Sequence, residues 1–304
     1  MQATLIFNKS SGSTDSIEPQ EIIEALRRKG FETIYPQTED ENDLDLALED
    51  PKDLVVAAGG DGTFREIAIR LLGRNIPIVP LPLGTANNIA RSLNLSSDWE
   101  QIIEGLDEPY RRPFDMGCVR LDSSSYYFLE AFGFGYYATG LAAYNPEEGK
   151  SVLRSLAAFA ETVNNFFTEP VSLVLDDQDI SGKYIIAEVM NTDSFGPRIK
   201  FSPDSNPSDG IFEVIRIDEE NRKSLLSYFT SLINGELTEQ PSVLLDRGRK
   251  LEMIWTGNYP LHADAVVIDP IREPDDPGLF PVTVEIIPSA LELWLPVEAK
   301  NGKE

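Results

Sequence analysis

The densest chemistry in this sequence lies between Leu54 and Leu95. Gly59-Gly60-Asp61-Gly62-Thr63 follows an apolar run, Leu54 to Ala58, and leads at once into a helical pattern with Phe64, Ile67, Ala68, Leu71 and Leu72 on one face. Glycine at three of five loop positions lets the backbone approach an anionic group closely. The new helix aims its unpaired N–H groups and the positive end of its dipole at the same point. Such a loop is suited to phosphate. Asp61 in its middle would repel phosphate unless Mg²⁺ intervenes or a substrate hydroxyl donates to it. The simpler reading makes Asp61 and Thr63 helix caps. A second loop, Pro82-Leu83-Gly84-Thr85-Ala86-Asn87-Asn88, follows a short buried-strand pattern and opens onto Ile89 to Leu93. Successive parallel strands would bring both loops to one carboxyl edge, where open α/β sheets bind their ligands. No GxxxxGK[ST] occurs and no GxGxxG opens a helix after a strand, which argues against a P-loop NTPase and an ordinary dinucleotide-binding protein.

Composition narrows the remaining chemistry. The 304 residues suffice for two domains with sizeable cores, and 41% hydrophobic with 25% charged residues is a globular balance. Cys118 is the only cysteine, which excludes an internal disulfide and a thiolate metal cluster and leaves a buried structural role. His262 is the only histidine, so Ser-His-Asp hydrolysis and multi-histidine metal sites are set aside. Hard-metal chemistry on oxygen ligands remains. The net charge of −25, spread as −10 over residues 1–115 and −15 over the rest, opposes nucleic-acid binding and unspecific docking on anionic lipid. No apolar run approaches the ~20 residues of a membrane span, and the N-terminus lacks the basic segment of a signal peptide. A cytoplasmic protein without a transmembrane segment is expected.

The rest of the chain supplies the frame. Ala3 to Phe7 reads as a buried strand ending at Asn8-Lys9-Ser10-Ser11-Gly12. A helix with Ile22, Ile23 and Leu26 on its apolar face stops at Gly30. Phe31 to Tyr35 is the next strand, followed by Thr38 and an acidic helix from Asp43 to Leu48. Strands alternating with helices call for a parallel sheet. From Phe114 the rhythm changes to short strand-like runs: Tyr126 to Phe132, Val171 to Leu175, Tyr184 to Met190, Ile211 to Ile217, Lys250 to Trp255, Val282 to Ile287 and Leu291 to Leu295. Turn residues separate them, a pattern for antiparallel pairing. Helices are expected at Ser151 to Phe167 and Lys223 to Asn234, and an exposed turn at Pro274 to Gly278. The expected fold is α/β plus all-β: an open parallel-sheet nucleotide domain (residues 1–115), an antiparallel β-sandwich acceptor domain (116–297) and a frayed tail (298–304).

GGDGTxxE from Gly59 to Glu66, followed by PLGTANNIAR from Pro82 to Arg91, resembles the diacylglycerol kinase catalytic-domain family, which includes soluble bacterial lipid kinases and is related to sphingosine and ceramide kinases. The resemblance extends over nearly the whole chain, through the Asn191 to Ile217 block, Asp264-Ala265-Val266 at the family's DGE place, and Ile287-Pro288-Ser289-Ala290-Leu291. It implies an ATP-dependent lipid kinase that uses Mg²⁺, meets its lipid substrate at a membrane surface by transient peripheral contact, and holds the acceptor between its domains. The nucleotide contacts it implies are Asn8, Ser11, Gly12, Thr38, Gly59, Gly60, Gly62, Thr63, Glu66, Gly84, Thr85 and Asn88. Asp209, in Asp209-Gly210, takes the place of an aspartate in a metal–water network, although the residues alone read as a hairpin turn. Asp61 is the expected central acid and Asp264 a second proton acceptor.

Three positions depart from the family pattern. Lys9 replaces a proline, Asn88 stands where aspartate is common, and Val266 stands in place of the DGE glutamate, which is the expected base. Valine cannot move a proton. A nucleotide- or lipid-binding homologue with weakened catalysis is therefore carried beside the kinase, and a soluble-metabolite kinase of NAD type stands behind both. The acceptor's identity is not encoded in the motifs, and a homodimer is left open.

Overall fold

The βα alternation of the first 115 residues builds a parallel sheet in the computed structural model, which describes residues 1–304 apart from 10, 13–16, 39, 144–167, 197, 221–242, 270–277, 298 and 300–304. The helices expected at 151–167 and 223–234, the turn at 274–277 and nearly all of the frayed tail lie outside the described residues. By its internal contacts the chain divides into two units, Met1–Asp115 with Ser289–Glu304, and Met116–Pro288.

Unit 1 begins β1 (Gln2–Phe7), α1 (Pro19–Arg28), β2 (Glu32–Ile34), α2 (Glu41–Ala47), β3 (Leu54–Gly59), α3 (Asp61–Leu71) and β4 (Ile78–Pro82), followed by short helices α4 (Asn88–Ser92) and α5 (Trp99–Glu104). β1 pairs in parallel with β2 on one side and β3 on the other, and β3 pairs in parallel with β4. The order β2-β1-β3-β4 reverses direction at β1, which puts the topological switch between the carboxyl ends of β1 and β3. β3 and β4 are buried at every position, as strands covered on both faces must be. Ile22, Ala25 and Leu26 of α1 pack with Leu5, Val56 and Val79 of the sheet in one core cluster.

Unit 2 contains β5 (Tyr110–Leu121), which crosses in from unit 1, then β6 (Ser124–Phe128), β7 (Ala131–Gly135), α6 (Tyr136–Ala143), β8 (Pro170–Leu175), β9 (Gln178–Asp179), β10 (Gly182–Met190), β11 (Ser194–Phe195), β12 (Ile199–Lys200), β13 (Phe212–Asp218), β14 (Val243–Gly248), β15 (Lys250–Trp255), β16 (Leu261–Ala263) and β17 (Val266–Ile268). A last strand, β18 (Phe280–Leu295), returns to unit 1. The pairings β16–β7–β10, β10–β13–β14 and β8–β15–β18 are all antiparallel. Their inner faces enclose a core of Phe128, Phe132, Phe212, Trp255 and aliphatic neighbours. The observed fold is thus α/β followed by an antiparallel β unit.

Three elements differ from the sequence reading. The run Tyr126 to Phe132 breaks into β6 and β7, because the amides of Leu129, Glu130 and Ala131 turn onto the Asp264 carboxylate instead of a strand partner. Val282 to Ile287 and Leu291 to Leu295 belong to one strand that continues through Pro288. At Ser289 the backbone takes a φ of 51° and its N–H donates to Asp115 Oδ1 at 2.7 Å, both within unit 1. Residues from Ser289 onward, expected in the second domain, consequently add a strand to unit 1, with Leu293 opposite Ile78 of β4 in parallel register.

Candidate functional site

The carboxyl ends of β1, β3 and β4 carry three loops, and named bonds tie them together. The Asn8 backbone N–H donates to Ala58 O at 3.0 Å, and its side-chain Nδ2 donates to Thr63 Oγ1 at 2.7 Å. Ser11 N donates back to Asn8 O at 3.2 Å and closes a turn that carries Gly12 to Thr85, whose hydroxyl occupies the space a Cβ on residue 12 would need. Leu83 N donates to Gly59 O at 2.8 Å. A Cβ on Gly84 would lie 2.5 Å from the Cα of Gly60, so two backbones touch where any side chain would part them. Asn8, Ser11, Gly12, Gly59, Gly60, Thr63, Gly84 and Thr85 are thereby gathered at one edge. Thr38 lies one strand further out, after β2. Glu66 sits a turn into α3 and holds Arg65 and Arg70 in ion pairs of 2.6 and 2.7 Å.

Gly62 stands apart from its crowded neighbours Gly59, Gly60 and Gly84. Among the described residues nothing lies within 4 Å of a Cβ built there, so none of their packing requires glycine at this position. In a helix interior glycine costs about 1 kcal/mol relative to alanine. Helix α3 also starts on Gly60, which has no side chain to cap it, whereas Asp40 caps α2 and Asp98 caps α5 through accepted backbone hydrogen bonds. An open approach to an uncapped 11-residue helix start is what an incoming anion would use.

Asp61 reaches across to the second loop. Its Oδ2 accepts from Asn88 N at 3.0 Å and its Oδ1 from Ile89 N at 3.1 Å, so it caps α4 and clamps the second loop to the first. Sequence reasoning missed the residue that shapes that second loop. Asn87, the N-cap of α4, adopts the left-handed conformation at φ 52°, accepts from Gly84 N at 2.8 Å, and donates to Pro82 O and Gly84 O at 3.0 and 2.8 Å. Asparagine is the non-glycine residue that best tolerates that conformation, and this preference was the available signal. Asn88 is buried and contributes its backbone N–H to Asp61.

Unit 2 places the other expected acids differently. Asp264 lies in the turn between β16 and β17 at φ 52° and is only 8% exposed. Its carboxylate accepts from Leu129 N, Glu130 N and Ala131 N at 2.9, 2.8 and 3.1 Å. The expected free proton acceptor is instead a buried clamp, and Val266, which pairs opposite Ala263 at 36% exposure, does not share a strand face with it. Asp209 Oδ1 accepts from Ile211 N at 3.1 Å, and Oδ2 pairs with Arg247 Nη2 at 3.0 Å. Arg247 Nε stands 3.6 Å from Glu213 Oε1, and the Glu213 carboxylate accepts from Ser202 and Ser205. Burial pushes the Glu213 carboxyl up, the Ser205 hydrogen bond and the Arg247 charge offset part of the rise, and the charges of Asp204 and Asp209 add to it. Arg247 therefore supplies the cation at the position assigned to a metal by Asp209.

Among the described residues no three His, Cys, Asp or Glu side chains gather as a metal site. Mg²⁺ is commonly held by one or two carboxylates together with substrate phosphates, not by an all-protein cage. Asp61, a carboxylate set among the glycine loops, is the acid there that suits an ion arriving with a nucleotide. Asp209 does not.

A parallel sheet with glycine loops at its switch point, joined to an antiparallel β unit, defines a two-unit α/β plus β fold. The Diacylglycerol kinase catalytic domain family matches residues 2–119, and the YegS C-terminal NAD kinase beta sandwich-like domain family matches residues 139–295. The chain belongs to the family that joins these two domains. Among curated relatives, a diacylglycerol kinase of Staphylococcus epidermidis is 27% identical over 274 residues, 86% of this chain and 85% of that protein. Another, from Bacillus subtilis, is 25% identical over 276 residues, 86% of this chain and 89% of its own length. A crystal structure of a diacylglycerol kinase from Bacillus anthracis str. Sterne shares the fold at a TM-score of 0.68 and 15% identity, covering 97% of this chain and 96% of that one. Among the described residues no helix is long and apolar enough to cross a membrane.

Proposed function

We propose that this chain transfers the γ-phosphate of ATP to the hydroxyl of a lipid of the diacylglycerol class, using unit 1 for the nucleotide. The carrying observation is Gly62: a helical glycine with open space above it, at the start of an uncapped helix, between loops clamped by Asp61. In this reading the phosphates lie along Gly60, Gly62 and Thr63, where the N–H groups of α3 stabilise transferred charge. Gly12 and Thr85 border the same space, and Asn8 fixes the Thr63 hydroxyl. Asp61 holds the two loops in register and is the carboxylate that would meet Mg²⁺ arriving with the nucleotide. When bound with the nucleotide, that ion neutralises phosphate charge during transfer.

The membership and the names of the relatives support a kinase, and the lipid acceptor is carried by those names alone. A second reading, a nucleotide- or lipid-binding homologue with weak catalysis, draws on Val266 and on the engagement of Asp264 with three amides. The kinase reading answers that a positioned base contributes ~10²–10⁴-fold, so its absence slows the reaction and leaves positioning and charge stabilisation in place. The test is a lipid panel in mixed micelles with radiolabelled ATP and Mg²⁺, with NAD as a soluble acceptor. Labelled phospholipid supports the proposal. Labelled NADP without labelled lipid, or no product beside demonstrable nucleotide binding, overturns it.

A further inference from the structure

His262 is the only histidine in the chain, and the site just described does not use it. It lies on β16 in unit 2 and is fully buried together with Glu188 of β10. Its Nε2 is 2.8 Å from Glu188 Oε2 and its Nδ1 is 3.0 Å from the Asp264 carbonyl oxygen. A carbonyl can only accept, so Nδ1 carries a hydrogen. Between Nε2 and Oε2 a second proton is required, because a bare ring nitrogen facing a carboxylate at that distance would set two lone pairs against each other in a dry interior.

The surroundings hold that proton in place. Tyr137 of α6 meets the ring edge-on at 4.8 Å between centroids, and Phe195 of β11 stacks on it at 5.8 Å and 11°. Gly133 of β7 presses its backbone on Glu188 so closely that a Cβ there would collide with the carboxylate. The titratable groups facing the pair are Glu130, just before β7, Asp264 in the β16–β17 turn, and Tyr137. Burial and the charges of Glu130, Glu188 and Asp264 keep the Tyr137 hydroxyl well above its usual range, and so protonated. Burial alone would push His262 down, yet the charge and hydrogen bond of Glu188, with Asp264 behind, lift it above its ordinary value. Glu188 is raised as well, by burial first, with His262 drawing it part of the way back.

We propose that His262 and Glu188 form a proton-holding strut that fixes the Asp264 turn, making His262 a positioning residue for the β16–β17 hairpin. The chain of contacts is direct. Glu188 holds His262, His262 holds the Asp264 carbonyl, and the Asp264 carboxylate gathers the amides of residues 129–131. Position 266 rides on the same hairpin. The inference stands on unit 2 alone and does not need the kinase reading.

The sign of the pH effect follows. The unfolded chain releases its histidine proton near pH 6.5, whereas the folded pair keeps its proton to higher pH. The strut's contribution is therefore complete below about pH 6.5 and is lost as pH rises through the folded value. Over that window the native state holds one more proton, and the folding constant falls by about tenfold per pH unit. Few other groups titrate there, since the chain has one cysteine and one histidine.

With a single histidine, ¹⁵N-histidine labelling reports the strut without assignment. Wild-type protein should show an imidazolium with both nitrogens protonated at pH 7, where a free histidine is mostly neutral. Thermal unfolding between pH 6.5 and 9 should lose stability in wild type and much less in Glu188→Gln, which keeps the shape and removes the titrating partner. Exchange of the Leu129 to Ala131 amides should accelerate with pH in wild type beyond the acceleration in that variant. A neutral ring at pH 7, or parallel pH profiles for the two proteins, would overturn the proposal. Should Glu188→Gln fail to fold, the wild-type ring spectrum decides alone.

Discussion

Replacing Asp61 by asparagine separates two roles that the sequence merges. The carboxylate accepts from Asn88 N and Ile89 N at 3.0 and 3.1 Å, and each hydrogen bond to a charged acceptor is worth about 1.5–3 kcal/mol. An asparagine retains one neutral bond, about 0.5–1.5 kcal/mol, and turns its NH₂ toward the other amide, donor against donor. The difference is about 2–5 kcal/mol, and partial exposure of the site favours the lower end, about 2 kcal/mol. That is a roughly thirtyfold change in the folding constant and a fall in Tm of about 4–8 °C. Urea unfolding followed by tryptophan fluorescence measures it, and faster amide exchange at residues 84–92 would locate it. From sequence alone the asparagine change looks harmless to the fold, because it preserves size and capping ability. A variant within about 0.5 kcal/mol of wild type, with unchanged exchange in the second loop, would refute the clamp and return Asp61 to a purely chemical role.

Gly84→Ala should destabilise unit 1 by more than about 2 kcal/mol and abolish nucleotide binding, since its Cβ meets the Gly60 backbone and cannot be relieved by a rotamer change; denaturation and calorimetry check this. Thr85→Ala should cost about 0.5–1.5 kcal/mol of nucleotide affinity with the fold intact, read by titration calorimetry. EDTA should leave the Tm of nucleotide-free protein unchanged, and Asp209→Asn should move it by no more than about 1 kcal/mol equivalent, because Arg247 is half exposed and already fills the cation's place. Val266→Glu, at an exposed position, should fold normally and raise kcat with little change in nucleotide affinity.

The units differ in how plainly their sequence announces them. In unit 1, apolar strands ending in glycine and helices bounded by Pro19 and Gly30 carry local signals, and Phe64, Ile67, Ala68 and Leu71 are all buried as their spacing requires. In unit 2 the signals are non-local. Leu129 and Glu130 leave the strand pattern because of a carboxylate 134 to 135 positions away, and β18 reads as two strands because Pro288 and Ser289 mark a turn that Asp115 overrides. The gathering of Asn8, Gly12, Gly60, Gly84 and Thr85 followed from parallel topology, which spacing can predict. The partners of Asp61, Asp209 and Asp264 did not, because a motif names a carboxylate without saying which amides or cations reach it. The role of Asn87 was legible only through its tolerance of a left-handed backbone.

Gly62→Ala puts the central claim to its most direct test. Among the described residues nothing opposes the added methyl, and alanine is the better helix former, so the variant should unfold at the same temperature as wild type or slightly higher. Thermal shift with millimolar Mg·ATP should then raise the Tm of wild type and leave that of Gly62→Ala unmoved, because the methyl occupies the space assigned to the phosphates. A wild-type protein that is folded by circular dichroism and shows no shift with Mg·ATP, or a variant that shifts as much as wild type, would contradict the account.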